Sequence, residues 1–250
     1  MGQDLAGRHA LVTGGGTGIG RAIAESLVEA GASVTVTGRR AEILAQVGGA
    51  FAVPMDVAEE TSVIAGVAAA RAEHGPVHIC VANAGVAEGA SLAKTDAAFW
   101  RRMMAINLDG CFHTFRACLP DMLEAGWGRA IAISSIAGLK GLKGAAAYTA
   151  SKHGMIGLVR GLAADFVGKP LTINAICPAY VDTDIVSYNL DRIMARTGRS
   201  EAEAMELMQG ANPHGRLIDA AEVAAMALWL CSDGARSVHG QALQISGGEF

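Results

Sequence analysis

A tyrosine and a lysine four residues apart, Tyr148 and Lys152, have the spacing that points most clearly to chemistry. On a helix, residues four apart lie on one face, so the phenol and the ammonium can meet at a common point. A free tyrosine has a pKa near ~10, which is too high for efficient proton exchange at neutral pH. A cation at ~4 Å contributes roughly 4 kcal/mol at an effective dielectric of ~20, and half of that lowers the phenol pKa by more than ~1 unit. The pair predicts a proton donor, although an isolated pair of this kind is also typical of an ordinary amphipathic helix surface.

A glycine-rich turn, Thr13 to Gly20, follows the first predicted strand and opens a predicted helix. Glycines at positions 14, 18 and 20 would let backbone amides and the helix dipole approach a pyrophosphate without side-chain obstruction. Because the chain has 32 glycines, a glycine-rich motif can easily arise by chance. The functional interpretation therefore depends on the position of this turn in the first strand-helix unit. The turn predicts a dinucleotide site, with contacts from Gly14, Gly16, Thr17, Gly18 and Ile19.

The second predicted strand ends in Thr37-Gly38-Arg39-Arg40, where a chain that prefers NAD usually carries an acidic residue for the ribose hydroxyls. Arg39 near a helix N-terminus opposes the helix dipole unless an anion lies there, and the 2′-phosphate of NADP would supply one. A charged hydrogen bond of roughly 1.5–3 kcal/mol corresponds to about a 10- to 150-fold preference for NADP over NAD. We therefore predict NADP as the cofactor, with NAD as the alternative if Arg39 lies in a solvated turn.

Two further strand ends carry candidate cofactor contacts. Asp56-Val57 follows the third predicted strand, where the carboxylate could hydrogen-bond adenine, although Asp56 and Glu59 also have the spacing of a helix capping box. Asn83-Ala84-Gly85 ends the fourth predicted strand with small residues that would let the backbone approach the cofactor. The alternative for Asn83 is a tight turn with the asparagine in a left-handed conformation.

Short β-rich runs alternate with longer helical patterns along the whole chain. Apolar strands separated by helices indicate a parallel sheet covered on both faces, so we predict a doubly wound, Rossmann-type α/β fold with a seven-stranded parallel sheet. We treat residues 1–250 as a single domain, with a small helical lid over the active site at about residues 184–215. The predicted strands are Ala10 to Thr13, Ser33 to Thr37, Phe51 to Met55, His78 to Ala82, Ala130 to Ser134, Thr172 to Ile176 and Ala242 to Ile245.

Composition excludes several other classes. A net charge of -4 with dispersed basic residues argues against a nucleic-acid partner. The five cysteines are scattered, odd in number and mostly in apolar segments, and the seven histidines show no metal-ligand spacing, so we predict neither a structural disulfide nor a metal site. Since no apolar stretch reaches the length of a signal peptide or a membrane span, we expect a cytoplasmic protein without a membrane partner.

Taken together, these motifs resemble the short-chain dehydrogenase/reductase family along essentially the whole chain. The resemblance rests on the glycine-rich turn, on Asn83-Ala84-Gly85, on Asn107 in Asn107-Leu108-Asp109-Gly110, and on Ser135, Tyr148 and Lys152. It implies an NAD(P)-dependent enzyme that interconverts a ketone and a secondary alcohol by hydride transfer, assembled as a homotetramer. In this family pattern Tyr148 is the general acid or base, and Ser135 hydrogen-bonds the substrate oxygen. Lys152 would bind the nicotinamide ribose and lower the tyrosine pKa, and Asn107 would hold a water in a proton relay.

Two positions depart from the family pattern: Pro178-Ala179 replaces the usual Pro-Gly after the sixth strand, and Ala82 stands where asparagine is common. The first departure could alter the backbone geometry around Val181 and Thr183, which by resemblance contact the nicotinamide carboxamide and pyrophosphate. Pro178 is a further cofactor contact that the resemblance implies.

Small apolar loops beside the catalytic group, such as Ile136 to Leu139, suggest an apolar substrate. The chain looks most like the 3-oxoacyl-thioester reductase branch, and Arg192, Arg196 and Arg199 of the lid could meet a substrate phosphate. A small apolar secondary alcohol or cyclic ketone is the alternative substrate. A non-enzymatic dinucleotide-binding protein is a further alternative, against which the presence of the serine, the tyrosine and the lysine together argues.

Overall fold

The computed structural model describes residues 4–183, 194 and 198–249. Within these residues, seven parallel strands form one sheet, and two short parallel strands form a second. In chain order the strands are β1 His9–Thr13, β2 Ser33–Gly38, β3 Ala50–Pro54, β4 Ile79–Ala82, β5 Gly128–Ile133, β6 Leu171–Pro178, β7 Val181–Asp182, β8 Ile218–Asp219 and β9 Ala242–Ile245. The order in the main sheet is β3-β2-β1-β4-β5-β6-β9, and β7 pairs with β8.

The helices of the described part of the chain cover this sheet. They are α1 Gly18–Glu29, α2 Ala41–Leu44, α3 Glu60–His74, α4 Ala97–Met104, α5 Gly110–Glu124, α6 Ala146–Asp165, α7 Glu201–Gln209 and α8 Ala220–Leu230. Short 3-10 turns lie at Leu92–Lys94, Ile136–Gly138 and Asp233–Ala235.

Alternating residues of the strands belong to two separate apolar layers. In β1, Ala10 and Val12 join the layer that contains α1 and α8, whereas Leu11 joins the layer that contains α3, α5 and α6. Because successive side chains of a strand point to opposite faces, a strand that is buried along its whole length must be covered by helices on both sides. The doubly wound parallel fold is confirmed.

The predicted strand ends differ from the observed ones by no more than two residues. β6 extends to Pro178 because Pro178 still pairs with Ile245 of β9, and β5 begins at Gly128 opposite Leu171. These end residues are not strongly β-forming, so the sheet pairing rather than their own propensity determines where the strands stop.

The helical segment around Asn107 is not one continuous α-helix. A π-helical turn, Ala105–Asp109, separates α4 from α5 and has the fully buried Asn107 at its centre. Turns of this kind occur often at functional sites, since they displace backbone groups from the α-helical bonding pattern. Gly110 follows directly, and a Cβ at that position would lie 2.7 Å from a methyl carbon of Val57.

The predicted lid, residues 184–215, is described only in part. α7 begins after a capping box formed by Ser200 and Glu203, and its buried residues Ala204 and Met208 pack with Tyr180 and Leu217. Arg199 is exposed, whereas Arg192 and Arg196 lie outside the described residues. Closure of this segment over the site stays a prediction.

All five cysteines, which are Cys80, Cys111, Cys118, Cys177 and Cys231, are buried as free thiols. Burial raises the pKa of Cys111 and of Cys231 to about 12, so both remain protonated at neutral pH. Among the residues that the structure describes, there is no group of three or more histidine, cysteine or acidic side chains placed to hold a metal ion. In the same residues, no helix combines the length and the apolar character needed to cross a membrane.

Candidate active site

The glycine-rich turn packs tightly against the end of β4. A Cβ at Gly20 would lie 2.3 Å from both the Gly14 carbonyl oxygen and the Asn83 Nδ2 atom, which is closer than real Cβ contacts allow. Gly18 has a φ of 51°, a left-handed value that glycine adopts readily. Glycine is therefore needed at these two positions so that the turn can close against its neighbour and still begin α1.

No side chain at the N-terminus of α1 caps the backbone N–H groups of its first turn. Its N-cap residue, Thr17, makes no side-chain cap hydrogen bond, and the first turn contains no acidic residue. Thr183 lies beside this end, since a Cβ at Gly18 would be 3.1 Å from the Thr183 Cγ2 atom. Free backbone N–H groups at a helix N-terminus bind anions, so this end fits a pyrophosphate.

Asn83 ties β4 to the glycine-rich turn. Its Nδ2 atom donates to the Thr13 carbonyl at 2.9 Å and to the Gly14 carbonyl at 3.2 Å. The Thr13 hydroxyl in turn accepts hydrogen bonds from the backbone N–H groups of Asn83 and Ala84, each at 3.0 Å. Among the described residues only glycines have positive φ, so the left-handed alternative for Asn83 is wrong. Its side chain holds the two loops together.

The carboxylate of Asp56 forms a local turn. Its Oδ1 atom accepts a hydrogen bond from the Ala58 backbone N–H at 3.0 Å, while its own N–H donates to the Ser62 hydroxyl at 3.0 Å. The N-cap of α3 is Glu59, without a side-chain cap, so the capping-box alternative for Asp56 is wrong. Asp56 lines a cavity near the glycine-rich turn, and its contact with adenine stays a prediction.

Three adjoining cavities form a continuous cleft along the carboxyl edge of the sheet. The first cavity lies between the glycine-rich turn, the end of β2 and the end of β3, and the second extends from the turn to α6. Both include Gly14, Thr17, Ala84 and Gly85. The predicted cofactor residues are thereby brought together: Gly16, Arg39, Asp56 and Val57 line the first cavity, while Gly18, Ile19, Asn83, Tyr148, Lys152 and Thr183 line the second.

Sequence reasoning missed several residues of the first cavity. These are Thr37, Gly38, Arg40, Ile43, Leu44, Met55 and Ile106. Arg40 could have been found from its position next to Arg39, and both guanidinium groups are exposed. Ile106 carried no such signal because only the fold brings the π-helical turn to the cleft.

Three of the four residues predicted for catalysis meet where the second cavity joins the third. Tyr148 and Lys152 lie one turn apart on α6, and Ser135 follows β5 at the start of a 3-10 turn. The Ser135 Oγ atom accepts the Ala137 backbone N–H at 3.1 Å, which fixes the side chain. The Lys152 Nζ atom donates to the Ile133 carbonyl at 2.9 Å and lies 5.9 Å from the centre of the Tyr148 ring.

Burial controls the protonation of this group. Desolvation raises the pKa of Tyr148 above its ordinary value, whereas hydrogen bonding with Ser135 acts in the opposite direction. Desolvation also lowers the pKa of the Lys152 ammonium from 10.5 to about 8. The expectation that Lys152 brings the tyrosine pKa below its free value is therefore not met, because the ammonium is bound to a backbone carbonyl and burial disfavours the phenolate.

Asn107 fixes the loop that follows β4. Its Oδ1 atom accepts the Val86 N–H at 2.8 Å, and its Nδ2 atom donates to the Val86 carbonyl and to the Ser151 hydroxyl, each at 3.0 Å. A Cβ at Gly85 would lie 3.0 Å from Asn107 Oδ1 and 3.7 Å from Lys152 Nζ, so Asn107 and the lysine are close neighbours. The side-chain amide is bonded to protein groups, and the role of Asn107 in holding a relay water stays a prediction.

The third cavity adjoins the second, with which it shares Ile19, Tyr148 and Thr183. Among the described residues that line it, none is acidic or basic. Pro178 and Val181, predicted as cofactor contacts, lie here together with Ala179, whose N–H donates to the Ile245 carbonyl at 2.9 Å. Alanine replaces glycine at this position without adopting a left-handed conformation. Sequence reasoning did not single out Tyr180 or Met208, which also line this cavity.

Comparison with known proteins agrees with this geometry. Residues 8–192 match the family model described as short chain dehydrogenase. The chain is 34% identical over 247 residues to acetoacetyl-CoA reductase of Rhizobium meliloti (strain 1021), with 97% of this chain and 98% of that protein covered. It is 33% identical over 264 residues to D-beta-hydroxybutyrate dehydrogenase of the same organism, with 96% and 98% covered.

Among solved structures, the fold is similar to a variant of actinorhodin polyketide ketoreductase crystallised with NADPH. The TM-score is 0.93 at 34% sequence identity, with 96% of each chain covered. The chain therefore belongs to the short-chain dehydrogenase family. It is an oxidoreductase of the class that acts on ketones and alcohols with a nicotinamide dinucleotide.

Proposed function

We propose that this protein is an NADP-dependent reductase of neutral ketones, with 3-oxoacyl thioesters as its substrate class. One observation supports the proposal most strongly: Tyr148, Ser135 and Lys152 meet between a cleft suited to a dinucleotide and a cavity whose described lining residues are uncharged. An uncharged lining favours a ketone without an ionised group near its carbonyl, since burying an unpaired charge is costly. Pro178, Val181 and Thr183 would contact the nicotinamide end of the cofactor at this junction.

The cofactor, when bound, supplies the hydride for reduction. Tyr148 donates its phenolic proton to the substrate oxygen as negative charge develops there, and Ser135 hydrogen-bonds the same oxygen. The raised pKa of Tyr148 keeps its proton in place at neutral pH, and the hydrogen bond with Ser135, which acts to lower that pKa, would assist the release of the proton. Lys152 contributes positive charge while it is protonated, so we expect the reduction rate to fall as the pH rises through about 8.

A Tyr148→Phe variant tests the catalytic role. Loss of general acid catalysis is expected to lower kcat for ketone reduction by ~10²–10⁴-fold, with cofactor binding retained. Full reductase activity in the variant would refute the role of Tyr148. Binding of cofactor by the natural protein without turnover of any ketone or alcohol would favour the non-enzymatic alternative.

The preference for NADP is supported by two exposed arginines, Arg39 and Arg40, at the edge of the first cavity. In this proposal Arg39 pairs with the 2′-phosphate, and Asp56 and Val57 lie near the adenine. An Arg39→Asp variant should bind NADPH about 10- to 150-fold more weakly in a fluorescence titration, with NADH binding kept or improved. Arg236→Asp is the matched control, because Arg236 is exposed and does not line the cleft. Equal weakening of NADPH and NADH by Arg39→Asp would contradict the assignment.

A dehydrogenase of a small apolar alcohol or cyclic ketone is the second candidate, because Ala87, Ile136 and Leu142 make the third cavity apolar. Rates with a panel of 3-oxoacyl thioesters, free 3-oxo acids and simple cyclic ketones, each with NADPH and with NADH, separate the candidates. A clear preference for the thioester supports the first, and a preference for the cyclic ketone supports the second. Faster reduction of the free acid than of its thioester would contradict both.

We also propose a homotetramer and a cytoplasmic location. An apolar depression between α5 and α6, lined by Phe112, Leu119, Leu123, Leu162 and Phe166, supports assembly because Phe112 and Leu123 are exposed large side chains. Sedimentation at micromolar concentration should give a tetramer, and a monomer would contradict the assembly.

A further inference from the structure

A second tyrosine faces the cavity that contains the candidate catalytic group. Tyr180 lies between the end of β6 and β7, and it lines the third cavity together with Tyr148 and Ser135. The side chains of Tyr148 and Tyr180 line this same cavity. The cavity therefore has two phenolic side chains, from α6 and from the segment after β6.

The backbone of Tyr180 is held at both of its polar groups. Its N–H donates to the Asn212 Oδ1 atom at 3.1 Å, and its carbonyl accepts the Asn212 Nδ2 group at 2.9 Å. The same carbonyl accepts the Ile218 N–H at 2.9 Å. Asn212 is 1% exposed and is itself fixed by a 2.7 Å bond to the Arg216 carbonyl. These hydrogen bonds fix the backbone of Tyr180 beside the proposed substrate cavity.

The chemistry of the lining limits what Tyr180 can recognise. Most other side chains around it, including Leu142, Val181 and Met208, offer no strong hydrogen-bonding group. A ketone held at Tyr148 and Ser135 would therefore find in Tyr180 a separate donor for a second polar atom. A neutral carbonyl oxygen is the matching acceptor, because the described residues that line the cavity include no charged side chain to accompany an ionised group.

We propose that Tyr180 is a specificity-determining residue, which donates a hydrogen bond to a second carbonyl of the substrate placed two carbons from the reacting carbonyl. This inference rests on the proposed reductase function and narrows its substrates to 1,3-dicarbonyl compounds such as 3-oxoacyl esters and thioesters. Tyr148 protonates the reacting oxygen, and Tyr180 selects for the neighbouring one.

A pair of esters tests this selection without a thioester carrier. Ethyl 3-oxobutanoate and ethyl 4-oxopentanoate contain the same two functional groups, separated by one more carbon in the second compound. Tyr180→Phe should lower kcat/KM for the 3-oxo ester by about 2- to 13-fold, the value of a neutral hydrogen bond of ~0.5–1.5 kcal/mol. For the 4-oxo ester, kcat/KM should change by less than about 2-fold. An equal loss on both esters would overturn the proposal and would indicate a general packing role.

Met208→Leu is the matched control, since Met208 lines the same cavity and makes no comparable hydrogen bond. Its effect on the two esters should be the same. The melting temperature of Tyr180→Phe should stay within a few degrees of the natural protein, because the phenyl ring keeps the contacts with the α7 cluster. If the natural protein reduces neither ester, the proposed function fails; if it reduces both and Tyr180→Phe leaves their ratio unchanged, only the role of Tyr180 fails.

Discussion

Replacing Lys152 with methionine is expected to stabilise the fold while removing activity. Lys152 is 5% exposed, and burial lowers the pKa of its ammonium from 10.5 to about 8. Since each pKa unit is worth about 1.4 kcal/mol, the folded protein loses about 3 kcal/mol by keeping this cation buried at neutral pH. Methionine has a similar length without the charge, but it leaves the Ile133 carbonyl without its donor, at a cost of about 1–2 kcal/mol. We expect a net gain of about 1–2 kcal/mol at pH 7.

The sign of the pH dependence follows from proton binding. Between pH 8 and 10.5 the unfolded chain holds a proton on Lys152 that the folded chain has released, so the contribution of this residue to stability rises with pH across that window. The advantage of Lys152→Met should therefore be largest at pH 7 and should shrink or reverse near pH 10. Groups that titrate in both proteins contribute equally to the two free energies of unfolding, so their contributions cancel when the two proteins are compared.

Urea unfolding followed by circular dichroism, at pH 7 and pH 10 and at one protein concentration, measures this difference. For a chain of this size, a gain of 1–2 kcal/mol also corresponds to a melting temperature higher by about 2–8 °C. Lys143→Met is the control, because Lys143 is exposed and should change stability little at either pH. A Lys152→Met protein less stable than the natural one at pH 7, or a difference independent of pH, would refute the argument.

Three further results are expected. Gly20→Ala should abolish cofactor binding or lower the melting temperature strongly, because its Cβ would lie 2.3 Å from two atoms, whereas Gly48→Ala, with open space around it, should be tolerated. Asn107→Ala should reduce the free energy of unfolding by about 2–5 kcal/mol, because it leaves both polar backbone groups of Val86 without partners; a change below 1 kcal/mol in urea unfolding would show that they find other partners. Stability should decrease as the pH falls below about 6.5, because burial lowers the pKa values of His9 and His78 and the His78 ring accepts the His9 N–H. Unfolding midpoints at pH 7.5 and 5.5 measure this last effect, and an equal fall of the midpoint between these two pH values in His9→Gln/His78→Gln and in the natural protein would count against it.

Much of the fold could be predicted from the sequence because it depends on short-range pattern. Apolar strands such as Ala10 to Thr13, separated by helical segments, specify a parallel sheet covered on both faces. The prediction was least accurate at strand ends, for example Pro178, where pairing with Ile245 extends β6 beyond its apolar run. It also missed the π-helical turn, since Asn107 leaves the α-helical pattern in order to bond Val86, a residue 21 positions away.

Part of the candidate site could also be predicted from short-range sequence patterns. Spacing along a helix is enough to place Tyr148 and Lys152 on one side of α6, and a glycine-rich turn after β1 is enough to place a helix N-terminus at the sheet edge. Sequence could not reveal Tyr180 as a neighbour of Tyr148, because the two residues meet only when β6 and α6 are assembled.

The sequence by itself determined which chemical groups this protein possesses, in what order, and on which helices and strands they lie, because local geometry relates spacing to direction. Only the tertiary structure decided how those groups ionise. The Lys152 cation was expected to lower the pKa of Tyr148, yet burial raises the tyrosine pKa and lowers that of the lysine. Desolvation depends on every element packed around a group, from Ile133 of β5 to the loop at Gly85, and no spacing within one segment contains that information.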